Sequence, residues 1–176
     1  MDLTYSQALK ESMTMLGKDP LTRIVGYGLK VTHEKSSFAG VPADQLVETT
    51  VAENLLAGIG IGLSLTGLKP VLFFERFDFV LNALDAIVNH LDAADIISNG
   101  VFRPTCILRI VVGNRHKPLY TGHTHTRDHT EALRRMVSFP VWPVRTSEEV
   151  LAAYEMAAKN LHNHSTAIVE YKDLYT

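Results

Sequence analysis

From Glu48 to Phe79 the sequence reads ETTVAENLLAGIGIGLSLTGLKPVLFFERFDF, and it leaves few ways to fold. One acid, Glu53, stands at the head of an apolar, glycine-rich run that is too long for a strand. Gly67 breaks the run, Val71 to Phe74 forms a second short apolar stretch, and a new helical pattern opens with Phe77 and Phe79. Helix, stop, buried strand and helix in succession belong to an α/β protein. An acid at the edge of so much apolar sequence is also where the proton affinity of a carboxyl is tuned for function.

The rest of the chain repeats this alternation. Ala8, Leu9, Met13 and Leu16 recur at helical spacing over Tyr5 to Leu16, with Gly17 and Pro20 as stops. Ile24 and Val25 read as a strand ending in Gly26-Tyr27-Gly28, Lys30 to Gln45 as a surface loop, and Leu46 to Thr49 as a short strand. A helix is expected from Thr50 to about Leu65, apolar nearly all round and therefore buried. Gly58, Gly60 and Gly62 each weaken it by about 1 kcal/mol relative to alanine, which close approach of another backbone would offset. After the Val71–Phe74 strand, one long helix over Arg76 to Ile97 turns Phe79, Leu84, Ile87, Val88 and Leu91 toward the core. Asn99-Gly100 turns the chain into a strand, Thr105 to Val112, apolar enough to be covered on both faces. A polar loop from Gly113 to Arg127 follows, then a short helix from Asp128 or Thr130 to Val137 and a strand from Val141 to Val144 interrupted by Pro143. Ser147 caps a helix to about Leu161, and Ala167 to Glu170 is the last strand. The expected fold is a doubly wound, mostly parallel sheet with helices on both faces, one domain over residues 1–176. Ligands bind such sheets beyond the carboxyl ends of the strands, at the loops after Gly26, Thr49, Phe74 and Gly113.

Composition narrows the function. A net charge of −2 without a basic patch argues against a nucleic-acid surface. No apolar run is long enough to span a bilayer, and Met1 to Tyr5 has neither a basic segment nor an apolar core, so a cytoplasmic protein is expected. The lone cysteine, Cys106, reads as a buried hydrophobe. Thr50-x-x-Glu53 before an apolar run fits a capping box, and the same glutamate fits an acid that works on a ligand; spacing leaves both open. Gly58-x-Gly60-x-Gly62 lies inside a helix and is no dinucleotide fingerprint, and Gly26-Tyr27-Gly28 lacks the third glycine. His123-Thr124-His125 with Asp128 and His129 has the chemistry of a metal cluster, as in metal-dependent hydrolases. It reads also as a solvated loop, or as groups that move protons and orient a substrate. Phe73, Phe74, Phe77 and Phe79 are most simply core.

The order of the pieces is specific in combination. Thr50-Val51-Ala52-Glu53-Asn54, then Gly58, Gly62, Gly67-Leu68-Lys69-Pro70-Val71, Phe77-Asp78-Phe79 and Asp85-Ala86-Ile87-Val88-Asn89 resembles the pyrimidine-binding domain of thiamine-diphosphate enzymes. The nearest branch of that family is the β-subunit of 2-oxo acid dehydrogenases, with transketolase further off. The likeness extends to the Asn99-Gly100 turn and to Asp128-His129-Thr130.

That resemblance implies roles. A family glutamate at the position of Glu53 hydrogen-bonds N1′ of the cofactor's aminopyrimidine and favours the tautomer that takes the proton from the thiazolium C2. Phe79 would stack on the pyrimidine and Val51 would line its pocket. His129 matches a family histidine near the substrate, with His125 and His123 as weaker candidates. The family holds the diphosphate and its Mg²⁺ on a second domain marked by Gly-Asp-Gly, which is missing from this sequence, so both are expected on a separate partner chain in an α2β2 heterotetramer. Relatives also carry a further C-terminal domain, whereas this sequence stops at Thr176. The expectation is a split enzyme catalysing transketolase-like or acyloin-type two-carbon transfer, or 2-oxo acid decarboxylation. A non-catalytic regulatory module and a histidine-metal hydrolase are the alternatives. Arg115 and Lys117 are basic where the relatives are less so, and would face an anionic or sugar substrate.

Overall fold

A computed structural model describes residues 3–30, 33–118 and 122–175. Met1 and Asp2, parts of the loops expected at 30–45 and 113–127, and Thr176 lie outside the described residues. Six strands form one sheet: β1 (Thr22–Gly26), β2 (Leu46–Glu48), β3 (Lys69–Phe74), β4 (Ile107–Val112), β5 (Val141–Pro143) and β6 (Thr166–Tyr171). Their order is β2-β1-β3-β4-β6-β5, and every pair is parallel. Crossovers supply the helices α1 (Tyr5–Gly17), α2 (Glu53–Leu65), α3 (Phe77–Val80), α4 (Ala94–Ile97), α5 (Thr130–Met136) and α6 (Ser147–Asn160).

Strand alternation divides the interior into two cores. Val25, Leu72, Leu108 and Val169 face α2 and the chain after α3, while Ile24, Val71, Ile107 and Ile168 face α1 and α6. With both faces covered, β4 and β6 are buried at every residue, as expected for a parallel sheet. Cys106 is wholly buried, and burial pushes its thiol far up. None of the described helices is long and apolar enough to cross a membrane.

Five local expectations are corrected. The capping box is not formed: α2 begins at Glu53 itself, its N-cap is Ala52, and no side chain caps it. Nor is α2 buried all round, since Leu55 is 54% and Leu65 49% exposed. Of the three glycines of α2, Gly60 has a packing reason among the described residues, because a Cβ there would lie 2.5 Å from Leu72 Cδ2, whereas Cβ atoms at Gly58 and Gly62 would meet nothing within 4 Å. The long helix over Arg76 to Ile97 is divided into α3, a 3-10 turn (Leu81–Ala83), a π-helix (Asp85–Asp92) and α4. The wider π turn sets Ala86 and Leu91, five residues apart, both in the core. Finally, the cap of α6 is Thr146 rather than Ser147: Thr146 accepts from the Glu149 N–H, and the Glu149 carboxylate accepts from the Arg145 N–H at 2.6 Å.

The punctuation is as expected. Gly67, at φ +86°, closes α2 with Gly67 N donating to Ser64 O and Leu68 N to Leu63 O, a Schellman motif. Asn99 (φ 52°) and Gly100 (φ 81°) make the turn before β4.

Candidate functional site

The sheet changes direction between β1 and β3, because the chain runs outward from β1 to β2 on one side and to β3 on the other. A parallel sheet leaves a crevice beyond the carboxyl ends of its strands at such a point. Two groups of side chains gather around this end.

The first group joins the start of α2, the start of α3 and the segment before α5. Glu53, as the first residue of α2, sits half-buried where β2 hands over to the helix. Its carboxylate is at the positive end of the helix and has no hydrogen bond or ion pair with any described residue. Val51, two residues earlier, is 62% exposed. Phe79 is half-buried on α3 and meets His125 edge to face, ring centres 5.1 Å apart at 85°. Phe77, fully buried, meets His129 in the same way at 5.6 Å and 81°. Between the two phenylalanines, Asp78 accepts from the Arg127 N–H at 3.2 Å, and its other oxygen lies 3.8 Å from His129 Nε2. Gly113, just after β4, has to be glycine: a Cβ would fall 1.8 Å from the His125 carbonyl oxygen. The loop that leaves β4 therefore returns across the strand end and lays His125 beside Phe79.

Asp128 fastens this segment to the sheet. Its Oδ1 accepts from Thr130 N (3.0 Å) and Oγ1 (2.5 Å), and its Oδ2 accepts from the Tyr171 hydroxyl at the end of β6 (3.0 Å). Burial pushes the Asp128 carboxyl up, but the bonds from Thr130 and Tyr171 and the charge of Arg115 outweigh it and hold it below the usual range. The backbone N–H of Arg115 donates to Asp173 (2.8 Å), and its half-exposed guanidinium lies 3.6 Å from Asp128. His123, His116 and Lys117 are exposed. Among the described residues no three of His, Cys, Asp and Glu come together to hold a metal ion.

The second group surrounds a cavity of about 930 Å³ at the ends of β1, β3 and β4, lined among others by Tyr27, Phe73, Arg76, Arg109, Lys172 and Tyr175. Arg109 and Glu170 pair at its base through two bonds of 2.8 and 3.0 Å. Glu170 also accepts from Tyr154 (2.5 Å) and Tyr175 (2.6 Å), and Arg109 donates to Ser37 (2.8 Å) with its guanidinium over the rings of Phe38 and Phe73. Burial penalises the Arg109 charge, and Glu170, by its charge and its hydrogen bonds, together with Tyr154 and Tyr175 outweighs that penalty. Nearer the mouth, Arg76 is taken up by Glu75 at 3.2 Å. Lys172 stacks over Tyr175 at 4.5 Å but has no anionic partner in contact among the described residues, and burial, then the charge of Arg76, push its ammonium below the lysine range. Sequence reading missed this group. The signal was one arginine in an otherwise apolar strand, which needs a carboxylate from a neighbouring strand, and Glu170 is that residue one strand over.

The comparisons with known proteins come down on both levels. No family model matches. The pyruvate dehydrogenase E1 component subunit beta of Dictyostelium discoideum is 34% identical over 71 residues, 40% of this chain and 20% of the relative. Its counterpart in Rickettsia bellii is 31% identical over 118 residues, 62% of this chain and 35% of the relative. The chain thus spans about a third or less of these relatives. Among solved structures, a split gene transketolase in an inactive β4 tetramer superposes with a TM-score of 0.75 at 18% identity, over 98% of this chain and 52% of that one. That likeness carries the fold.

Proposed function

We propose that this chain, whose homologues are pyruvate dehydrogenase E1 β subunits and whose fold is that of the pyrimidine-binding domain of thiamine-diphosphate enzymes, is the pyrimidine-binding subunit of a split enzyme of that kind. The reaction makes or breaks a C–C bond next to a carbonyl, by transketolase-like or acyloin-type two-carbon transfer or by 2-oxo acid decarboxylation. Thiamine diphosphate, when bound, supplies the electron sink for that bond. The observation that carries the reading is Glu53: a half-buried carboxylate with no partner among the described residues, at the start of the helix that follows β2.

The residues present fit the aminopyrimidine half of the cofactor. Glu53 has its carboxyl free to share a proton with N1′. Val51 offers exposed apolar surface beside it, and Phe79 an aromatic ring. His129 and His125 are brought against the two phenylalanines of α3, where they serve the substrate. The diphosphate and Mg²⁺ fall to a partner chain, in an α2β2 assembly whose contacts include the exposed side of α2. Lys172, exposed and with no counter-ion in contact among the described residues, gives the cavity a cation for an anionic substrate, although the carboxylates of Glu34, Glu48 and Glu75 line it too.

The test is Glu53→Gln in the chain assembled with its partner, thiamine diphosphate and Mg²⁺. Turnover should fall by about 10²- to 10⁴-fold, the range for a positioned proton-transfer group. Thermal stability should change little, since Glu53 bonds to nothing in the fold. Undiminished turnover would sink the assignment and leave a non-catalytic module as the reading.

A further inference from the structure

His129 presents two different ring nitrogens. Nε2 is sealed from solvent and makes no hydrogen bond, whereas Nδ1 is not among the sealed atoms that lack a partner. Buried polar atoms without partners are rare, so each one calls for a cause. The acceptor beside Nε2 is Asp78 Oδ1 at 3.8 Å, on a side chain that is only 10% exposed. Its companion Oδ2 is already taken by the Arg127 N–H. A carboxylate can only accept, so the nitrogen that faces it is the one that carries the hydrogen. Phe77, buried and set edge to face against the imidazole, fills the space on another side of the ring. Asp78 thus holds the segment by a hydrogen bond from the backbone of Arg127 and faces the ring of His129, two residues on, at 3.8 Å.

We infer that Asp78 is a positioning residue that fixes His129 as the Nε2–H tautomer and leaves Nδ1 as the nitrogen that exchanges a proton with the substrate. The inference rests on the reading of His129 as a group beside the substrate, given above. The proton balance is simple. Nδ1 takes a proton from a substrate hydroxyl, and the ring becomes an imidazolium with hydrogens on both nitrogens. Its new charge lies next to the Asp78 carboxylate, and Nδ1 then returns the proton to the substrate-derived alkoxide, which restores the neutral ring. Nothing is oxidised or reduced. Without Asp78 the buried side of the ring would favour neither nitrogen, and part of the population would present an N–H to the substrate where a lone pair is needed.

The tautomer can be read directly on the full ¹⁵N-labelled chain, without cofactor or partner, from two-bond ¹H–¹⁵N correlations of the histidine rings at a pH where the imidazole is neutral. Expected for His129 is a protonated-type Nε2 and an unprotonated-type Nδ1. Asp78→Ala should lose that preference. Asp78→Asn, whose amide oxygen can still accept, should keep it. A protonated Nδ1 in the wild-type chain overturns the inference, and so does an Asp78→Ala spectrum with the wild-type pattern. In the assembled enzyme Asp78→Ala should lower kcat by about 10-fold or more with KM little changed, as for a lost proton-transfer contribution. If the tautomer behaves as stated but His129→Ala leaves kcat intact, the catalytic half of the inference falls. The proposed function then still stands or falls with Glu53→Gln alone.

Discussion

At the scale of single residues, the Arg109–Glu170 pair shows how a buried charge is made tolerable. Both side chains are essentially inaccessible, and every bond the carboxylate can accept is supplied by Arg109, Tyr154 and Tyr175. Removing one partner strands the other. Glu170→Ala should therefore cost about 3–5 kcal/mol by urea unfolding. The double change Arg109→Met with Glu170→Leu should recover much of that, though not all, because two tyrosine hydroxyls lose their acceptor. Smaller losses in the single variant than in the double would show that the pair does not work as described. The tyrosines give a pH signature. Burial first, and then the Glu170 charge, raise Tyr154 and Tyr175 well above their ordinary value of 10.0. A folded-state value above the unfolded one means that the stability they contribute is full below about pH 10, and is lost as the pH rises from there toward the folded value. Melting temperature should fall steeply above pH 10, and Tyr154→Phe should make that fall shallower. Of this cluster the sequence displayed one clue, a lone arginine in a strand of apolar residues. Arg109 bonds to residues 37 and 170, and residues 154 and 175 bond to Glu170 in turn, a set of positions that the fold brings together.

At the scale of elements, the strands and the helix stops were legible because they depend on local chemistry: apolar runs for β3 and β4, Gly67 and Asn99-Gly100 for positive φ. What could not be read was how helices meet their surroundings. Thr50-x-x-Glu53 has the spacing of a capping box, yet the backbone at Ala52 is what opens α2, which leaves Glu53 free for a ligand. Likewise the period of Arg76 to Ile97 predicts one helix, and packing against α2 in the core accommodates a π segment instead. The three glycines of α2 separate the two causes experimentally. Gly60→Ala drives a methyl into Leu72 and should cost about 1–3 kcal/mol, the usual penalty of overpacking. Gly58→Ala and Gly62→Ala meet open space, so each should stabilise the isolated chain by up to about 1 kcal/mol through helix propensity. Paired denaturation curves of the three variants decide this, since equal signs at Gly58 and Gly60 would rule out the packing account.

At the scale of the whole molecule, the face left open by α2 is the feature that a lone chain does not account for. Leu55 and Leu65 are half exposed, Gly58 and Gly62 lie bare, and Ile96, Ile97, Val101 and Phe102 stand out by 55% or more around the turn after α4. Ser64 Oγ accepts from the Thr105 N–H at 2.7 Å, which ties the end of α2 to the segment that follows Phe102. From the sequence, apolar residues all round α2 meant a helix buried in its own domain. The same residues serve as well for a helix buried half in its own core and half against another chain, and periodicity has no means to tell the two apart. The two cases part in assembly. On the proposed function, Leu55→Lys should leave the melting temperature of the isolated chain within about 0.5 kcal/mol equivalent of wild type, as for surface substitutions. It should nonetheless weaken association with the diphosphate-binding chain by about tenfold or more, measured by sedimentation of the mixture, because a buried unpaired charge at an interface is costly. Gly62→Leu adds bulk where close approach is needed and should act in the same direction. If both variants assemble and turn over like wild type, α2 does not face the proposed partner, and the exposed turn at Ile96 to Phe102 becomes the candidate surface for it.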